Sequence, residues 1–353
     1  MLAYGTLMTT GALTYLFGQL APASRRLLGW LFALLLAGFA GLRSTSTDFE
    51  EYEVLWNLML ELDVEFPARL FLGKDILFGA IMDALQRMGA GLQALMLAAA
   101  IISVSLKQIA FSRVLDGNTA PAWLAILCTT FFLHEFTQIR IAIAISFCFL
   151  ALLELLEGRR LSWLLITLIA AGFHASALIF IPLSAMFPLR GLRDTTLWLA
   201  SVAATTALAT ALFQGFQDTD GRIAMHAGEL GTNWTAVMIG IVKLSGLILI
   251  AKTLGPAGRT ERKHQLVSSC LLLAACGLIM LVAFRNVSAA LAFRIYEFCD
   301  AFAVLVLAVS LASGTNLSRI LTVAYCLLGL ILQVRVGLLS MPYEFAPVTR
   351  FVL

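Results

Sequence analysis

Phe136–Leu153 reads FTQIRIAIAISFCFLALL. From Ile139 onward it is an apolar run with one guanidinium, Arg140, at its head. A run this apolar suits a helix crossing hydrocarbon, where about 20 residues span roughly 30 Å. A charge in such a helix costs free energy, so Arg140 needs a partner or a ligand to offset that cost. Behind it, Ala142, Ala144, Ser146 and Cys148 are small. They let a neighbouring helix approach closely and let the arginine point into a bundle.

The rest of the chain extends this reading. Of 353 residues, 60% are hydrophobic and 13% charged, and the mean hydropathy is +0.92. A soluble domain carries about twice that charge. Apolar segments recur along nearly the whole length and no linker or low-complexity tract divides them, so the expected fold is all-α. It is a polytopic integral membrane protein, read as a single transmembrane domain over residues 1–353. The first apolar segment lacks a basic n-region and is followed by Arg25 and Arg26, the pattern of a retained span rather than a cleaved signal. All six cysteines lie in or at the ends of apolar segments without CxxC spacing, as small packing residues would. A net charge of +3 gives no argument for nucleic acid.

About twelve spans are expected, some short or re-entrant: roughly 3–20, 27–42, 89–106, 120–134, 138–156, 161–173, 175–188, 195–213, 234–252, 266–284, 294–313 and 319–336. Residues 161–188 divide into two short crossings meeting near His174, because only then do Arg25, Arg26, Lys107, Arg113, Arg159, Arg160, Arg190, Arg193, Arg259, Arg262 and Lys263 fall on one side. Most of the 21 acids then face the other side, including Asp48, Asp75, Glu135, Glu297, Asp300 and Glu344. That outer side also holds the long polar loops 43–88 and 214–233, and loops on a rigid scaffold are where sites are built. In the first loop, ILFGAIMDALQR at 76–87 has the stripe of a helix lying in the membrane interface. Ahead of it, TSTDFEEYEVLWN opens with capping residues and then brings Tyr52, Leu55 and Trp56 onto one helical face.

The residues that carry chemistry are polar groups in or near the apolar segments. Arg140 offers five donors in a fork suited to carboxylate or phosphate oxygens, and its alternative reading is a structural ion pair with Glu135 or an acid of the first loop. His174, in AGFHASALIF, lies where the chain turns between short apolar segments, so it can donate, accept or shuttle a proton, or be a hydrogen-bonded packing residue. Arg285, Arg294, Tyr296, Glu297 and Asp300 stand at the outer ends of two consecutive late spans, with Arg294 and Glu297 at pairing distance on one helix. Arg140, Arg285 and Arg294 at similar depth suggest a pocket for an anion such as a lipid pyrophosphate. Lys243 has no readable partner in the sequence. Asp218-Thr219-Asp220 has metal-site spacing but is also ordinary turn sequence. No Walker loop, GxSxG or metal-ligand cluster appears, so no metal and no cofactor are expected.

Several stretches, in order, resemble the EpsG-like branch of the Wzy-type polysaccharide polymerases. They are Arg43 with Asp48-Phe-Glu-Glu-Tyr52, QIRIAIAIS with Arg140, FHASALIFIPL with His174, FRIYEF with Arg294 and Tyr296, and Pro342-Tyr343. The resemblance runs from about residue 40 to 343. It implies an O-antigen or exopolysaccharide polymerase of the bacterial inner membrane, similar to lipid-donor membrane glycosyltransferases of the C type. Such an enzyme moves an undecaprenyl-pyrophosphate-linked glycan onto the non-reducing end of a second lipid-linked repeat unit at the periplasmic face. Its implied partners are the lipid-linked donor and acceptor, the bilayer and a chain-length regulator protein.

That chemistry needs a proton acceptor and fixed positive charge at the leaving group. The candidate acceptors are, in order, Asp48, His174 and Glu297; Arg43, Arg140, Arg285 and Arg294 are the candidates for the pyrophosphate. Tyr52, Trp56, Trp234, Tyr296 and Tyr343 offer aromatic faces for sugar or lipid. An O-antigen ligase would use the same donor and a similar scaffold. A flippase would line a path with charge, whereas the inner halves of these spans are almost bare apart from Lys243 and Glu154.

Overall fold

The computed structural model describes residues 2–20, 22–46, 48–61, 70, 75–184, 187, 194, 196–203, 206, 234–255, 260–284, 289–335 and 344. Every regular element among them is a helix. Contacts divide the chain into two compact units. The first comprises residues 1–151, 165–175 and 326–353, the second 152–164 and 176–325. Among the described residues, six helices are long and apolar enough to cross a membrane, and Ala120–Thr129, Arg160–Phe173 and Ala175–Ser184 are shorter apolar pieces. The chain is a multi-pass membrane protein by helix length and composition. Where about twelve spans were expected, several of the corresponding pieces are too short to cross by themselves.

In the first unit, α1 (Leu2–Leu20) and α2 (Arg25–Gly41) lead to α3 (Phe49–Glu61), α4 (Ile76–Arg87) and α5 (Leu92–Val114). After these come α6 (Ala120–Thr129), the single turn α7 (Phe131–His134), α8 (Ile139–Leu156) and α9 (Arg160–Phe173), of which the end of α8 and the start of α9 fall in the second unit. The tightest packing is α2 on α5, and small residues are the reason. Gly29, Ala33, Ala37, Ala40 and Gly41 are buried along one side of α2. A Cβ added at Gly41 would sit 2.7 Å from the Leu97 Cα, so the helices meet backbone to backbone there. Gly41→Ala is therefore expected to cost about 1–3 kcal/mol by overpacking, read as a lower melting temperature of the detergent-purified protein. A melting temperature equal to wild type would show that the contact relaxes freely.

The helix α4 is present where the interfacial pattern placed it. Its buried side is Phe78, Gly79, Met82, Asp83 and Gln86, while Ile76 and Ala84 of the apolar stripe are exposed. The polar residues turn inward because the protein offers them partners: Gln86 donates to the Trp56 carbonyl at 2.9 Å and Arg87 pairs with Asp83 at 2.7 Å. Leu77 of the apolar stripe packs against Gly172, where an added Cβ would lie 2.6 Å from its side chain.

One depth assignment is corrected. Lys107 was placed on the inner side and Glu135 on the outer, yet the Lys107 ammonium lies 2.6 Å from the Glu135 carboxylate and both are buried. Lys107 stands well inside α5 and also donates to Ser103 Oγ, Ser146 Oγ and the Ala142 carbonyl. The physical reason is the length of α6. Ten residues rise only about 15 Å, so the chain turns inside the bundle. His134, Glu135, Phe136 and Thr137 of that turn are all buried. The small residues of α8 admit the lysine, and the acid in the buried turn balances its charge.

The second unit contains α10 (Phe180–Ser184), α11 (Trp234–Lys252), α12 (Glu261–Phe284), α13 (Ala289–Asp300), α14 (Ala303–Ser313) and the first half of α15 (Asn316–Arg335). Its most extensive packing is α12 on α13, where Gly277 admits the backbone of Tyr296 and the Cβ of Cys299. Asp300 was expected at the outer end of its span. It lies instead at the break between α13 and α14, inside the apolar stretch Ala292–Ser313, paired with Lys243 of α11. The lone lysine thus has a partner, since two opposite charges inside a bundle are each other's cheapest solvent. At the other end of this unit, Arg159 pairs with Glu154 and Glu157, and Arg262 with Glu157. All six cysteines are buried free thiols.

Candidate functional site

The first unit brings together residues from four separated stretches. Asp48 stands just ahead of the first residue of α3, and the Tyr52 amide donates to its carbonyl at 3.2 Å. Tyr52 faces inward with Phe49, Leu55, Trp56 and Met59, the spacing of one helical face. Its ring lies 5.9 Å from that of Phe78 on α4, and its phenol oxygen lies against the Arg140 guanidinium. Burial raises the phenol above its ordinary pKa, with nearby Asp48 pushing the same way and Arg140 and Arg43 opposing. Tyr52 is a neutral hydroxyl, not a base.

Arg140 stands in the first turn of α8, as its sequence position required. Its Nη1 donates to Asp75 Oδ2 at 2.5 Å, its guanidinium lies 6.0 Å from the Phe78 ring centroid, and its buried Nε has no hydrogen-bond partner among the described residues. His174 follows the last residue of α9, where that helix breaks into the short 3-10 turn Ala175–Ile179. The His174 Nδ1 is 3.7 Å from the same Asp75 oxygen, and the Ala175 amide donates to Asp75 Oδ1 at 3.2 Å. The side chains of Arg140 and His174 are each 15% exposed and that of Asp75 8%. The cluster is recessed but open. It combines a proton acceptor, an arginine with unused donors and a neutral hydroxyl.

The pairing of Arg140 with an acid of the first loop was one of the two readings open in the sequence. The acid that takes that place, Asp75, was not among the candidate site residues. Its only sequence signal is an aspartate just ahead of an amphipathic helix, which reads as an ordinary N-cap.

The remaining candidates divide by place. Arg43 is in the first unit: it is 0% exposed, donates to the Ala40 carbonyl and lies over the Phe136 ring, 4.8 Å from its centroid. Trp56 is likewise buried in the first unit. Arg294, Tyr296 and Glu297 belong to the second unit, on α13. There Arg294 is exposed and Glu297 half-buried. The Tyr296 ring lies 5.8 Å from the Lys243 ammonium and against Gly240. Trp234, also in the second unit, opens α11 and is 54% exposed. Arg285 and Tyr343 lie outside the described residues, as do Asp218 and Asp220. Among the described residues no three His, Cys, Asp or Glu side chains gather as a metal-ligand set.

A polytopic helical membrane protein with a recessed arginine, histidine and carboxylate cluster is the class that fold and site define. The chain belongs to the EpsG family, whose model matches residues 26–347. That match takes in Asp48, Tyr52, Asp75, Arg140 and His174 alike. No curated protein and no solved structure matches the chain.

Proposed function

We propose that this protein is a glycan polymerase that transfers an undecaprenyl-pyrophosphate-linked oligosaccharide onto the non-reducing end of another lipid-linked repeat unit at the periplasmic face of the inner membrane. Membership of the EpsG family supports a polysaccharide-polymerase type of role. The observation that carries the finer reading is the Arg140 cluster, where a guanidinium with an unpartnered donor stands beside a histidine and an aspartate whose side chain is 8% exposed. In the reaction, an acceptor hydroxyl attacks the anomeric carbon of the donor sugar. The bond from that carbon to the pyrophosphate oxygen breaks, and the lipid pyrophosphate leaves with the electron pair. Arg140 meets the negative charge as it develops, which is where fixed positive charge lowers a barrier most. The hydroxyl proton goes to Asp48 or His174. Tyr52, neutral and lying at the guanidinium, holds the orientation of Arg140.

Charge pairing in the second unit weighs against a transport path. Lys243 and Glu154, the two charges that break the apolar inner halves of the spans, are both engaged, with Asp300 and Arg159 respectively. The direct test is reaction of the purified protein with an undecaprenyl-pyrophosphate-linked repeat unit, with and without chelator. A ladder of products formed in both conditions is the expected result. Absence of any product longer than the input, from protein that retains its fold, would falsify the polymerase reading, and transfer only to a lipid A core acceptor would reassign it to ligation.

A further inference from the structure

Asp75 opens α4 in the position of a helix N-cap, with extended backbone at φ −133° and ψ 135°. The Gly79 amide already donates to its carbonyl at 2.8 Å. An aspartate there ordinarily turns its carboxylate onto its own helix, because the first amide groups of a helix have no other acceptor. Asp75 makes no such bond. Both oxygens point elsewhere: Oδ2 accepts from Arg140 and lies near His174, while Oδ1 accepts from the amide that follows His174. One carboxylate thus ties the start of α4, the head of α8 and the break after α9. Leaving its own helix end uncapped costs about 1 kcal/mol, and the compensation is this three-way junction.

We propose that Asp75 is the positioning residue of the site, fixing Arg140 and His174 in one geometry for the transfer. This rests on the polymerase reading of the same cluster. Oδ2 takes one guanidinium nitrogen and leaves the Arg140 Nε available, so the fork is held rather than consumed. By accepting from the Ala175 amide, Oδ1 sets the backbone from which the imidazole projects. Oδ2 lies 3.7 Å from Nδ1 of that ring, beyond hydrogen-bond reach, so its influence on the imidazole is that of a nearby negative charge. Phe78, one turn along α4 and fully buried, lies against the guanidinium and restricts its other movements. A carboxylate placed in this way acts through its neighbours, because misplacing a reacting group by about 1 Å can cost roughly 10²-fold in rate.

The test uses the full chain in the in vitro ladder assay, with Asp75→Asn, Asp75→Glu and Arg140→Ala beside wild type and a melting curve for each. Asp75→Asn keeps the shape and the acceptor oxygen for Ala175 but loses the charge that holds Arg140. The expected result is a fall in kcat of about 10- to 100-fold with a smaller change in donor KM, as for groups that orient others. Asp75→Glu restores the charge one methylene too far out, so it is expected to recover the melting temperature without recovering kcat. Wild-type kcat in either Asp75 variant overturns the positioning role, and with Arg140→Ala inactive the polymerase reading stands. Wild-type activity in Arg140→Ala would instead remove the arginine, and with it this cluster, from the chemistry, while absence of any ladder from folded wild-type protein is what removes the polymerase reading itself.

Discussion

Arg140→Ala is expected to reduce glycan transfer by about 10²- to 10³-fold, the usual loss when one fixed donor to developing negative charge is removed. In cells this should appear as collapse of the long-chain ladder to single repeat units. The substitution has a second consequence, because it leaves the Asp75 carboxylate buried beside His174 without its 2.5 Å cationic partner. A buried charge stripped of its partner destabilises, so protein level and melting temperature must be measured alongside. Arg140→Lys separates the effects. It keeps a positive charge near Asp75 but replaces a planar fork with a point charge that cannot grip two phosphate oxygens in the same way. The expected order of activity is therefore wild type, then lysine, then alanine, with stability of the lysine variant near wild type. Long-chain polymer unchanged in Arg140→Ala at normal protein level would remove the arginine from the chemistry.

The second large effect is on stability. Lys107→Met is expected to destabilise the protein by about 3–5 kcal/mol, because it leaves Glu135 ionised in the bundle or forces it to take up a proton there. The double variant Lys107→Met/Glu135→Leu should recover most of that loss. Replacing a buried ion pair by apolar groups of similar volume is often neutral or stabilising. The surrounding hydroxyls also keep partners of their own: Ser103 and Ser146 lie 3.0 Å apart and Ser146 donates to the Ala142 carbonyl at 2.6 Å. Thermal unfolding of the four proteins in one detergent measures the coupling. If the double variant melts no higher than the single, Lys107 and Glu135 are not a coupled pair.

Both effects bear on what the order of residues makes legible. The apolar runs, the helix at 76–87, the face of Tyr52, Leu55 and Trp56, and the break at His174 all follow from local patterns, and each is present. Charge bookkeeping failed where a charge was not in a loop. The positive-inside rule counts residues that face water at the membrane surface, and Lys107 and Asp300 do neither. Each is neutralised by a residue distant in sequence, Glu135 and Lys243 respectively. Asp75 was missed for a related reason. Its type and position are fully explained by a helix cap, and only the absence of that capping bond reveals another use.

The sequence by itself determined that this is an all-helical membrane protein, that Arg140 heads a helix in which it needs a partner, and that His174 stands at a helix break. Those are consequences of period, length and transfer free energy, which act over neighbouring residues. Only the tertiary structure decided which acid Arg140 meets, that Arg43 and Trp56 are buried, and that the turn at 134–137 lies inside the bundle. Such outcomes depend on which distant groups share a low-dielectric interior, where an unpaired charge is costly enough that partners are chosen by proximity in space rather than in sequence.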